Sequence, residues 1–235
     1  MYLNQNLQLI DLKFRNLLIQ HYQHNNKKNQ IKYKHFIKET FLEPLLVLLK
    51  HQRFICLVGF ILTIKVAGTV MNALGAPFLF SLGFSKFEYA SITKVYGVGL
   101  MLFGSFVGGL VVHRKGTAYC LQLSAVLQFI ACVLFAVLAY FGEHDLDFLV
   151  ATLSIESFSS GLLSTGFISY LSLFCKSPYV ASHFTLLYSL GSLSRVLASV
   201  IAGYVAAQFG WVSLFAISSA TLIPALWYLQ KTTSK

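Results

Sequence analysis

The chain has 235 residues, 56% of them hydrophobic and only 11% charged, with a mean hydropathy of +0.68. A water-soluble core cannot absorb that much apolar surface, which excludes an ordinary soluble domain and points to an all-α membrane protein. A net charge of +10 would suggest nucleic acid in a soluble protein; here the cations cluster in particular loops, so they report membrane orientation and no nucleic-acid partner is expected.

Residues 1–53 are polar and basic and read as a cytoplasmic leader. The first apolar run lies far from the start and is flanked by charges, so no secretory signal is expected. Leu3, Leu7, Ile10, Phe14 and Leu17 recur at helical spacing, and Pro44 suits the first turn of a second short helix over Leu45–Leu49. Both are too short to cross a bilayer and are expected at its interface.

From residue 54 the hydropathy predicts six spans, over residues 54–82, 89–112, 117–141, 148–174, 182–208 and 211–228, each near or above the ~20 residues that cross ~30 Å of hydrocarbon. They form a membrane bundle over 54–228, followed by a cytoplasmic tail, 229–235. Pro77 and Pro224 are expected to kink the first and last spans. Trp211, Trp227 and Tyr228 suit interfacial anchors.

The basic residues of 1–53, then Arg114 and Lys115, Lys176, and Lys231 and Lys235 occupy alternate loops. The opposite loops hold Lys86 and Glu88, then Glu143, Asp145 and Asp147. The positive-inside rule puts both termini in the cytoplasm, and an even number of spans agrees.

Three charges lie deep inside spans: Lys65, Glu156 and Arg195. Each costs roughly 3 kcal/mol near the midplane on insertion scales, so such residues face a bundle interior or a water-filled path. Lys65 lies in the first span of the first triple and Glu156 in the first span of the second, ~16 Å and ~12 Å from opposite membrane faces. Two triples of opposite orientation form a 3+3 inverted repeat, the arrangement of a transporter half whose site lies at the repeat interface. Asn72 in the first span and Ser160, Ser164 and Thr165 after Glu156 extend a candidate pathway; Asn72 and Gly75 ahead of Pro77 suggest a broken region. A plainer role is also open: the three charges neutralise one another, and the Ser/Gly-rich run allows close helix contact. Gly104-x-x-x-Gly108 and Ala198-x-x-x-Ala202 are packing signals. The third and sixth spans lack Asp, Glu, Lys and Arg and are expected to face lipid.

No metal or cofactor is expected. Cys56, Cys120, Cys132 and Cys175 show no CxxC or Cys/His ligand spacing and read as small buried hydrophobes. There is no G-x-S-x-G nucleophile elbow and no H-E-x-x-H, so an enzyme is not expected.

The junction of the second and third spans reads Gly108-Gly109-Leu-Val-Val-His113-Arg114-Lys115-Gly116. It resembles the G-x-x-x-D-R-x-G loop of major facilitator transporters at Gly109, Arg114 and Gly116, with His113 where Asp is usual. Residues 153–176, with an intramembrane Glu156 before a Gly/Ser-rich run and a Cys175-Lys176 end, resemble the tenth helix of the AmpG-type muropeptide permeases. Residues 180–212, with His183-Phe-Thr-Leu-Leu-Tyr188, Arg195, Gly203 and Gly210-Trp211, resemble the eleventh. Lys65 matches a Lys of the seventh, although the family's nearby acidic residue is replaced here by Val-Ala-Gly.

The resemblance implies a secondary transporter of the bacterial inner membrane that imports peptidoglycan fragments, sugar-peptides, with protons. A carboxylate drawn out of water favours its protonated form, so Glu156 is expected to carry the proton, and Lys65 and Arg195 to attract the anionic substrate. What matches is the second six-helix half of such a permease, so the expected partners are the lipid bilayer, the small solute, and either a second six-helix half or a second copy of the chain. The alternatives are a helper subunit of a split permease, a non-transporting remnant, or a related permease for another anionic solute such as acetyl-CoA.

Overall fold

The computed structural model describes residues 54–233 apart from 143 and 176–178; the expectations for the leader lie outside the described residues. Among the described residues all regular elements are helical: α1 (Phe54–Ile64), α2 (Val66–Ser81), α3 (Lys86–Tyr89) leading through a π-helical segment (Ala90–Tyr96) into α4 (Gly97–Lys115), α5 (Thr117–Phe141), α6 (Leu146–Ser172), α7 (Val180–Ala220) and α8 (Leu222–Thr233). Joined end to end they make five helices long and apolar enough to cross a membrane: Phe54–Ser81, Lys86–Lys115, Thr117–Phe141, Leu146–Ser172 and Val180–Lys231.

The fifth runs through both of the last two expected spans, but it is not straight. Gly210 leaves helical geometry at φ 78°, ψ 173°, a conformation open to glycine and strained for a residue with a Cβ. Ile201 and Ile217, on either side of it, line one apolar groove of about 360 Å³. A straight helix would hold them ~24 Å apart, so the chain turns back on itself at Gly210. A further break falls at Thr221, three residues before Pro224, whose ring cannot accept a normal helical turn ahead of it.

In the first long helix the interruption lies at Lys65. The helix then runs unbroken through Asn72, Gly75 and Pro77, so the interruption sits about two to three turns before the stretch where a break is expected. Thr69 holds the interruption together, its N–H and its hydroxyl both donating to the Lys65 carbonyl at 3.2 and 2.6 Å.

α4 and α6 make the closest helix pair, and glycine is the reason. A Cβ on Gly104 would strike the Phe158 carbonyl oxygen, and one on Gly161 would strike the Met101 carbonyl oxygen; Gly108 faces Thr165 and Leu162. Hydroxyls then bond across the gap: Ser105 donates to Gly161 O at 3.3 Å and Thr165 to Ser105 O at 3.1 Å. This is small-residue packing in a medium where apolar burial alone gives no helix–helix preference. Toward one end the helices close over an aromatic cluster, with Phe78 at 4.9 Å from Phe215, 5.3 Å from Trp211 and 6.2 Å from Phe135 (ring centroids).

The third long helix, α5, has two faces: Cys120, Ser124, Ala125, Gln128, Ala131 and Cys132 are buried, whereas Val126, Phe129, Ile130 and Val133 are exposed and apolar. Small and hydroxyl side chains let α5 nest against α6 and α7, and Ser159 donates to Gln128 Oε1 at 2.9 Å.

Glycine at 161 is therefore a steric requirement. Gly161→Leu is expected to cost at least ~3 kcal/mol and to abolish a folded, monodisperse protein in detergent. Gly203→Ala, where a Cβ meets nothing within 4 Å, is expected to leave the thermal midpoint unchanged or slightly raised.

Candidate functional site

Three helical faces converge on one cleft of about 510 Å³. From the first long helix come Lys65, Thr69 and Asn72, spaced i, i+4, i+7. From α6 come Ser160 and Ser164, spaced i, i+4, and from α7 come Tyr188 and Arg195, spaced i, i+7. Each set recurs at helical period, so each projects a stripe toward the same space. Met101 of α4 adds an apolar edge.

Lys65 is held by its surroundings. Its ammonium lies 4.0 Å from the centroid of the Phe167 ring, a cation–π contact worth about 0.5–2 kcal/mol. Phe167 is in turn pressed by Gly191 of α7, where any Cβ would lie 3.2 Å from the ring. Nearby, Ser194 donates to Leu62 O at 2.6 Å and ties α7 to α1. Arg195 is exposed and reaches only Ser192 Oγ, at 3.5 Å. It lies close enough to Lys65 for the two cations to repel. Asn72 donates to Gly68 O at 2.8 Å; Ser160 and Ser164 have no hydrogen-bond partner among the described residues.

Among the described residues no carboxylate lines this cleft. Glu156 is buried at 7% exposure on a neighbouring face of α6, with Ser157 Oγ at 3.4 Å. Four helical residues turn through about 400°, so Glu156 stands ~80° round the helix from Ser164. Among the described residues the one acid–base contact is His144–Glu88, at 3.5 Å between a loop and α3, so Glu156 forms no ion pair with Lys65 or Arg195. Thr165 also misses the cleft and bonds α4 instead. Among the loop-motif residues, Gly109 and Arg114 are exposed, and Gly116 joins α4 to α5 at φ 87°. All three lie away from the cleft.

Tyr188 and Thr69 are cleft residues that the charge-led sequence reading passes over; their signal is helical spacing from Arg195 and Lys65. Lys94, inside the second expected span, is a further cation, 5.7 Å from the Tyr89 ring. His183, within the fifth, is buried and packs edge-on to Tyr179.

The arrangement is a cleft with two cations, an amide and hydroxyls. Its family follows from comparison with known proteins. Residues 24–235 match the profile of the Major Facilitator Superfamily, and the chain belongs to that family, one of membrane transporters rather than enzymes. It is a multi-pass membrane protein. It is 30% identical over 176 residues to "Putative transporter AmpG 1" of Rickettsia prowazekii (strain Madrid E), covering 75% of this chain and 40% of that protein. It is 27% identical over 196 residues to "Putative transporter AmpG 4" of Rickettsia conorii (strain ATCC VR-613 / Malish 7), covering 83% of this chain and 47% of that protein. The chain thus spans less than half the length of these curated relatives.

Two like charges that share a cleft without a counter-ion weaken the empty protein. Replacing Lys65 by Met removes a midplane cost of roughly 3 kcal/mol and forfeits a cation–π contact of about 1 kcal/mol. Lys65→Met is therefore expected to stabilise the ligand-free protein by about 1–2 kcal/mol, read as a higher thermal midpoint in detergent at low salt.

Proposed function

We propose that these helices form the cation-bearing part of a secondary transporter that imports anionic peptidoglycan fragments, anhydro-muropeptides, with protons across the bacterial inner membrane. The observation that carries this reading is the convergence of Lys65 and Arg195, with Asn72, Ser160 and Ser164, on one cleft lined by no carboxylate among the described residues. An anionic solute supplies the missing counter-charge, and its polar groups meet the free hydroxyls. The substrate class comes from the likeness to proteins named AmpG transporters.

In this reading the chain crosses the membrane six times, with the turn at Gly210 separating the last two crossings, and the two triples are related as inverted repeats around the cleft. Both termini are cytoplasmic, because Arg114, Lys115 and Lys231 fall on one side and Asp145 and Asp147 on the other. Residues 1–53 act as the basic cytoplasmic leader. The cleft is completed by a second six-helix unit, on this polypeptide or on another. The large apolar side chains exposed on the second and fifth long helices, including Leu102, Phe106, Val196 and Val200, suit that contact.

Glu156 carries the proton from its position behind the cleft. It is one turn from Ser160 on α6, so a change in its charge is felt by a residue that touches the solute. Arg114 and the Gly116 turn hold the cytoplasmic junction of α4 and α5 while the helices rock.

The test is uptake of labelled anhydro-muropeptide by a permease-deficient bacterium that expresses the chain together with a second six-helix unit. Lys65→Met and Arg195→Met are expected to lower uptake at least tenfold, and Glu156→Gln to remove its dependence on external pH. Intact, pH-dependent uptake in Glu156→Gln would overturn the proton assignment. Membrane insertion without uptake would favour a helper or non-transporting role.

A further inference from the structure

A second concavity shares its walls with the cleft. Val66 stands beside Lys65, Val70 beside Thr69 and Ser194 beside Arg195, and these neighbours line a separate groove of about 360 Å³. Its walls come from the first long helix and from α7 on both sides of Gly210. The hydroxyls that line it each donate to a backbone carbonyl: Ser194 to Leu62 at 2.6 Å, Ser218 to Leu214 at 2.8 Å and Thr221 to Ser218 at 2.7 Å. Among the described residues the groove is lined by no charged side chain and offers no free hydroxyl proton. A bound water needs two to four polar partners, which this lining does not provide. A charged or hydroxyl-rich solute is equally unmet. The fitting occupant is apolar along its whole buried length.

Shape and setting narrow the choice. Leu62 to Val70 on one wall and Leu197 to Val205 on the other each span ~12 Å along a helix axis, close to the ~15 Å depth of one hydrocarbon leaflet. The groove thus runs with the membrane-crossing helices, as lipid chains do. Its lips, Leu197, Ile201 and Ile217, are each more than half exposed, so it opens sideways on a helix surface that meets hydrocarbon. Val196 and Val200, which suit contact with a second six-helix unit, stand ~100° round α7 from Leu197 and Ile201. Hydrocarbon gives no hydrophobic drive for filling the groove; the gain is the dispersion contact that an empty groove forfeits along its whole lining. We infer that this groove is a binding site for one acyl chain of a bilayer phospholipid. The chain braces the helices that carry Lys65 and Arg195 on their adjoining faces.

The test is photolabelling of the purified full chain in vesicles of phosphatidylethanolamine and phosphatidylglycerol. The probe is a phosphatidylethanolamine that carries a diazirine in mid-chain, and adducts are mapped by peptide mass spectrometry. Ile201 and Ile217 are expected to be labelled at least about fivefold more often than Val126 and Ile130, aliphatic side chains that are also exposed, on α5. Ala198→Phe fills the groove from its buried floor; it is expected to lower groove labelling about fivefold while α5 labelling stays within about twofold. If the phenylalanine prevents folding, Ala198→Leu fills less of the groove and is expected to lower its labelling about twofold. Equal labelling of groove and α5 residues would mean bulk lipid contact only and would overturn the inference, as would unchanged groove labelling in a folded Ala198 variant. Loss of groove labelling when a second six-helix unit is added would also overturn it, assigning the groove to that protein contact.

Discussion

Charge taken out of water without a counter-charge is the constraint from which the rest of the structure follows. Lys65 and Arg195 stand in membrane-spanning helices, close enough to repel, and among the described residues no carboxylate faces them. Such an arrangement is tolerated only where something offsets it: an aromatic face, water, or a ligand of opposite sign. Phe167 supplies the first for Lys65. The cleft supplies room for the others.

What makes the cleft possible is the tightness of the packing beside it. Gly104, Gly108 and Gly161 let α4 and α6 approach until their backbones nearly touch, and hydroxyls bond across the contact. That contact turns the Ser160–Ser164 stripe of α6 away from α4 and toward the first and fifth long helices. Ser194, through Leu62 O, fixes the fifth against the first one turn from Lys65. Gly210 then returns the chain, so that α8 packs on α1, where Gly59 leaves just enough room for the Tyr228 ring. The cationic face is thus defined by close contacts on its flanks.

Much of this was legible in the sequence because helical periodicity is a strong signal. Lys65 with Asn72, and Ser160 with Ser164, are at spacings that share a face, and the structure brings them to one cleft with Arg195. Glu156 shows the limit of that logic. A four-residue step overshoots a full turn by about 40°, and over two steps the carboxylate rotates onto the α5 side. Tyr188 was hidden because an aromatic residue in an apolar helix reads as ordinary filling until its neighbours are known. Gly109 belongs to the loop signature, whereas the packing is made by Gly108 one residue earlier, a difference of about 100° around the helix that no motif records. Gly210, beside Trp211, is where the last long helix leaves helical geometry.

The central claim is that the cleft recognises negative charge. Its most direct test is calorimetric titration of the purified chain with an anhydro-muropeptide and with the same molecule amidated at every carboxyl, at low and at high salt. The account predicts that the anionic form binds at least about tenfold more tightly than the amide and that this preference shrinks as salt rises. Equal affinity for the two forms at low salt would contradict it.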